Sequence, residues 1–142
     1  MFKSILLATD GSAASDHAAS VAVGLARTHG AKLTALYAVD PYPYVGLGEV
    51  NPMGFQAYMS AAQEHAATAH SRIAALCADG GAAVQLEVKL VEDVSAASGI
   101  VQAAQAEGSD LIVVGSHWRA GIARLMLGSV AAKVVADAPV PV

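Results

Sequence analysis

Two hydrophobic patterns alternate along the chain. Short unbroken apolar runs are separated by longer stretches in which apolar residues recur every three or four positions. Residues 3–8 form the first run, and Asp10-Gly11-Ser12 stops it, which predicts a buried strand and a turn. Ser12 or Ser15 can cap the next helix, since either hydroxyl accepts an orphan backbone N–H. Ala18, Val21, Ala22 and Leu25 then follow at helical spacing, and Gly30 fits the stop. Residues 33–39 predict a second strand. Residues 40–54 hold three prolines and three glycines and predict a loop. Residues 55–78 predict a long alanine-rich helix ended by Gly80-Gly81. Residues 83–91 alternate and are rich in β-branched side chains, a third strand. Ser95 or Ser98 opens a helix running to about Glu107, with Gly108 after it. Residues 111–114, Leu-Ile-Val-Val, are apolar on both faces, as central parallel strands are. A glycine-containing loop, a helix over 129–136 and the start of a last strand at 139–142 complete the pattern.

Strands alternating with helices predict an α/β fold: a parallel sheet of about five strands with helices on both faces. Right-handed crossovers make it an open, doubly wound sheet. The length of 142 residues suits a single domain over 1–142. In such sheets ligands sit beyond the carboxyl ends of the strands, where the strand order reverses. Three segments end strands there: Ala8-Thr9-Asp10, Ala38-Val39-Asp40 and Gly115-Ser116-His117.

Composition narrows the class. Apolar residues make up 55% and charged residues 14%, which predicts a large, well-covered core. No run reaches the roughly 18 apolar residues of a spanning helix, and no signal peptide is visible, so no membrane partner is expected. The one cysteine, Cys77, excludes an internal disulfide; it lies in an alanine-rich helix and reads as buried and inert. These features point to the cytoplasm. The formal charge of -4 and scattered Lys and Arg argue against a nucleic-acid footprint. Arg119, Arg124 and Lys133 form a small basic group, suited either to an anionic ligand or to a solvated helix face. Five histidines are present, but no metal-ligand spacing joins them.

The segment from Gly115 to Val130 carries the most chemistry. It leaves a central strand and reaches a helix start at Gly128-Ser129. Unpaired N–H groups and a partial positive charge at a helix start suit a phosphate. Glycine lets the backbone approach a ligand, and Ser129 can both cap the helix and donate to phosphate. On residue types alone, a plain helix cap after a surface loop explains the segment as well.

These residues resemble the universal stress protein family along nearly the whole chain. Residues 5–12, Ile-Leu-Leu-Ala-Thr-Asp-Gly-Ser, look like its opening strand and aspartate loop. Residues 110–117 look like its fourth strand, residues 125–130 like its closing helix, and residues 138–142 like the start of its last strand. The resemblance implies an adenine nucleotide alpha hydrolase-like fold and a stress-response protein that binds ATP or another adenine nucleotide. It also implies magnesium near the phosphates, at most slow hydrolysis, and homodimers often paired through the last strand. On that resemblance Asp10 bonds the ribose or helps hold a metal, and Ala8 and Ala38 line the adenine pocket. Gly115, Ser116, Gly128 and Ser129 hold ribose and phosphates, with Thr9, Val114, His117 and Val130 beside them.

The ATP-binding members carry a glycine, two residues, a second glycine, nine residues, then glycine and serine or threonine. Gly115, Gly128 and Ser129 fall on the first, third and fourth of those places, but the second holds Trp118. An indole there cannot offer the same close backbone approach. The alternative expectation is therefore a dimeric interaction protein of the same fold whose loop is filled by Trp118. No dedicated catalytic set accompanies Asp10, so a fast enzyme is not expected.

Overall fold

The computed structural model describes residues 1–39, 52–92, 94–116 and 127–142. Eight elements alternate: β1 (Ser4–Thr9), α1 (Ala13–His29), β2 (Lys32–Ala38), α2 (Pro52–Ala78), β3 (Leu86–Val91), α3 (Ala96–Glu107), β4 (Leu111–Val114) and α4 (Ser129–Asp137). The helix expected from residue 55 begins three residues earlier, at a proline whose fixed φ suits a first helical turn. The third strand is shorter than residues 83–91, because Gly81 and the residues after it form the connection from α2.

The strands form one parallel sheet in the order β3-β2-β1-β4. The sheet has four strands among the described residues rather than about five: residues 139–142 form no strand, although the Ile112 N–H donates to the Pro141 carbonyl at 2.9 Å. Because successive strand residues point to opposite faces, β1 feeds two cores. Ile5 and Leu7 pack with Ala18, Ala22 and Ala26 of α1 and with Ile73 and Cys77 of α2. Leu6 and Ala8 pack with Ala97, Ile100 and Ala104 of α3 and Val134 of α4. Helices therefore cover both faces, and residues 5–8 are fully buried.

Helix ends follow the residues named from sequence. Gly30 and Gly108 adopt left-handed conformations with φ of 65°, which a Cβ would strain, and their N–H groups close the last turns of α1 and α3. Arg27 of α1 ends α2 from the side. Its guanidinium donates to the carbonyls of Leu76, Cys77, Asp79 and Ala82 at 2.8 to 3.2 Å, where the helix presents its negative end. Cys77 is buried, and burial pushes its thiol up, opposed by the charge of Arg27. The net upward shift disfavours the reactive thiolate.

Asp110 ties the start of β4 to the start of β1. Its carboxylate accepts the Lys3 N–H at 2.9 Å and the Ser4 N–H at 3.1 Å, while its own N–H donates to the Ser4 carbonyl. The Lys3 bond is the main reason its carboxyl is held below the usual aspartate value. A group depressed on folding stabilises above its unfolded pKa, and that stability is lost as pH falls through its folded pKa. Asp110→Asn is therefore expected to lower the urea midpoint at neutral pH, with the gap to wild type closing as pH falls below the ordinary aspartate range. A gap that stays constant with pH would contradict this.

Candidate functional site

The strand order reverses between β1 and β4. Chain growth runs outward from β1 through β2 to β3, then returns to the other side of β1. Register places Ala8 beside Val114 on one side and beside Leu36 on the other, so the carboxyl ends of three strands open at one end of the sheet. Of the residues expected at a site, Ala8, Ala38, Val114 and Val130 share one apolar cluster on the α3 and α4 side. Gly115 is buried against the first turn of α1: a Cβ there would lie 3.6 Å from the Ala14 carbonyl oxygen. The Ser116 carbonyl accepts the Gly128 N–H at 2.7 Å, so the two ends of the glycine-containing loop are pinned together. Ser116 and Ser129 are exposed. His117 falls outside the described residues, as do Trp118, Arg119, Gly121 and Arg124.

Asp10 stands at the turn between β1 and α1 and is only 9% exposed. Its Oδ1 accepts the Ser12 N–H at 2.9 Å and the Ser15 hydroxyl at 2.5 Å; the Ser15 oxygen in turn accepts the Asp10 N–H at 3.2 Å. Ser12 is the N-cap, its hydroxyl accepting the Ser15 N–H at 3.3 Å. Thr9 is buried, and its hydroxyl accepts the Gly11 N–H at 3.1 Å. Both serines named as cap candidates therefore act, Ser12 on the helix and Ser15 on the aspartate. The turn is held by its own side chains, which fixes the carboxylate where β1 ends.

Sequence reasoning missed the other wall of this turn. Arg72 of α2 donates to the Gly11 carbonyl at 2.8 Å and approaches Asp16 at 3.5 Å. Beside it two adjoining cavities of about 410 and 390 Å³ share Asp10, Tyr37 and His65. They lie on the α2 side of Asp10, away from the Ala8, Ala38, Val114 and Val130 cluster. Tyr37 and His65 give no local signal, because strand and helix patterns mark them only as facing the core. Arg72 had one: it is the only arginine or lysine in the whole of α2.

At the far end of the site, α4 starts with Gly128 as N-cap; Ser129, expected to cap the helix, is its first helical residue, and no side chain caps it. Its first-turn N–H groups are suited to an anion, as the glycine-serine start predicts. Among the described residues, no three His, Cys, Asp or Glu side chains converge as a metal site would need. A magnesium ion here would draw most of its ligands from phosphate and water, with Asp10 able to supply a carboxylate. Among the described residues no helix is long and apolar enough to cross a membrane.

The model of the universal stress protein family matches residues 1–142. The chain belongs to the universal stress protein family. A family member from Thermus aquaticus is 39% identical over 143 residues, which span 100% of this chain and 97% of that one. Among solved structures, the universal stress protein UspA from Lactobacillus plantarum superimposes with a TM-score of 0.80 at 27% identity, covering 98% of this chain and 94% of that one. A universal stress protein solved in complex with cAMP has a TM-score of 0.65 at 25% identity, covering 99% and 93%. Universal stress protein architecture thus accounts for the four parallel strands and the reversal beside β1.

The Asp10 turn makes a stability prediction. Ser15 is buried and bonds Asp10 at two points. Ser15→Ala is expected to cost about 1–3 kcal/mol in urea unfolding, because it removes two hydrogen bonds, one of them to a carboxylate, from a buried turn. A loss below about 0.5 kcal/mol, the range of an ordinary surface change, would show that the turn does not depend on it.

Proposed function

We propose that this universal stress protein binds ATP or a related adenine nucleotide at the carboxyl ends of β1 and β4, hydrolyses it slowly at most, and acts in a cytoplasmic stress response. The observation that carries the reading is the Ser116–Gly128 hydrogen bond. It sets the uncapped start of α4 beside the strand ends that hold Asp10 and Gly115. Ala8 and Ala38 are buried at those strand ends and pack in one cluster with Val114 and Val130, so they would floor the crevice. The N–H groups at Gly128-Ser129-Val130 and the Ser129 hydroxyl supply donors for phosphate. Asp10 supplies an acceptor for a ribose hydroxyl; with its Oδ1 already bonded to Ser12 and Ser15, it is oriented before any ligand arrives. The structural relative solved with cAMP supports an adenine nucleotide as the ligand class.

Trp118 favours a second reading, in which the loop is closed and the protein works through other proteins. Titration calorimetry with ATP, with and without magnesium, separates the two. The first reading predicts binding by the unmodified chain that Ser129→Ala weakens about tenfold, the size of one lost hydrogen bond to a charged group. Binding that appears only in Trp118→Gly would establish the second.

The protein is also proposed to work as a homodimer. Light scattering at two protein concentrations should give a mass near twice that of one chain at the higher; a persistent monomer mass contradicts it.

A further inference from the structure

The α2 side of the Asp10 turn holds space that the proposed nucleotide does not use. One stripe of α2 lines it. Tyr58, Ala61, His65, Thr68 and Arg72 follow at intervals of three and four, which sets them on one helix face. The chemistry changes along that stripe. Toward the start of α2, Val39, Tyr58, Ala61 and Ala62 wall a cavity of about 410 Å³. Further along, Ser12, Thr68 and Arg72 wall one of about 390 Å³. Asp10, Tyr37 and His65 stand where the two meet. Tyr37 is only 4% exposed and packs with Ala62, Ala66 and Ala69, so this wall is fixed by the core. Gly11 closes the polar end: a Cβ there would lie 3.7 Å from the Tyr37 ring and 3.9 Å from the Arg72 guanidinium.

The polar end carries charges of both signs. Asp10 supplies a carboxylate, and Asp16 lies 3.5 Å from Arg72. Arg72 gives an N–H to the Gly11 carbonyl at 2.8 Å, and a guanidinium has five N–H donors in all. A carboxylate has about four acceptor positions, so the two bonds to Oδ1 of Asp10 do not exhaust it. A ligand with negative charge alone would meet two carboxylates. One with positive charge alone would meet the guanidinium. A ligand holding both charges a few bonds apart satisfies both. We propose that the joined cavities bind a free α-amino acid with an apolar side chain. Its ammonium group donates to Asp10. Its carboxylate accepts from Arg72 rather than from Thr68, whose hydroxyl already donates to the Glu64 carbonyl at 3.0 Å. Its side chain enters the apolar cavity beside Tyr37, Tyr58 and Ala61. Of the residues assigned above to the nucleotide, only Asp10 lines this pocket. The amino-acid site therefore stands or falls apart from the nucleotide reading.

Amide shifts of the ¹⁵N-labelled full chain, followed with L-leucine and L-phenylalanine up to about 10 mM, test this. Saturable shifts are expected at Tyr37, Tyr58, His65 and Arg72, with Gly115 and Gly128 unmoved. Leucinamide lacks the carboxylate and isocaproate lacks the amine. Each should bind at least about tenfold more weakly than leucine, the size of one lost hydrogen bond to a charged group. Arg72→Gln removes the guanidinium, and Ala61→Trp fills the apolar cavity without touching the turn; each should abolish the shifts. Ala61 is exposed, so its variant decides the matter if Arg72→Gln does not fold. No shift with either amino acid overturns the proposal, and so do shifts centred on Gly115 and Gly128. Leucinamide or isocaproate binding as well as leucine overturns recognition of both charges. Unchanged binding by Ala61→Trp overturns the site.

Discussion

Burial of β1 on both of its faces sets the position of everything else at the candidate site. Ile5 and Leu7 are claimed by α1 and α2, Leu6 and Ala8 by α3 and α4. A strand so enclosed must be central, with a parallel neighbour on each side. Its carboxyl end then becomes the point where the chain, having built β2 and β3 on one side, returns on the other. The turn after β1 is placed by packing before any polar group acts. The side chains of Asp10, Ser12 and Ser15 then give that turn one conformation.

On the proposed function, Asp10 serves two purposes in one geometry. Its carboxylate stabilises the start of α1, and the same bonds hold it at the mouth of the crevice. Burial makes those bonds obligatory, because an unpaired buried carboxylate is costly. Such a residue is a turn former, and under the proposed function it is also a preorganised acceptor. The two readings that sequence alone left side by side for Asp10 are compatible in the folded chain. Arg72 adds a third constraint from α2, bonding the Gly11 carbonyl and so fixing the turn from its outer side.

Most of the architecture was legible because its signals are local. The apolar run at 111–114, Gly30 and Gly108 at helix ends, and Asp10-Gly11-Ser12 after β1 each state their role within a few residues. What was not legible depends on distant contacts. Nothing near Arg27 in sequence says that it ends α2 some fifty residues later. Nothing near Tyr37 or His65 says that they wall cavities with Asp10. The start of α2 lies three residues before the expected one, because proline suits a first helical turn as well as a loop. The site splits the same way. Ala8, Ala38, Val114, Gly115, Gly128 and Val130 are brought to one end by the sheet that their own pattern predicts, whereas His117 and Trp118 lie outside the described residues.

The central claim is that an adenine nucleotide sits on the β4 and α4 side of Asp10. Amide chemical shifts of the ¹⁵N-labelled protein, followed during ATP titration, test it most directly. The account predicts shifts concentrated at Thr9, Asp10, Gly115, Ser116, Gly128, Ser129 and Val130. Shifts confined to Tyr37, His65, Thr68 and Arg72, with Gly115 and Gly128 unmoved, would place the ligand on the α2 side and contradict the account; so would a spectrum that ATP leaves unchanged.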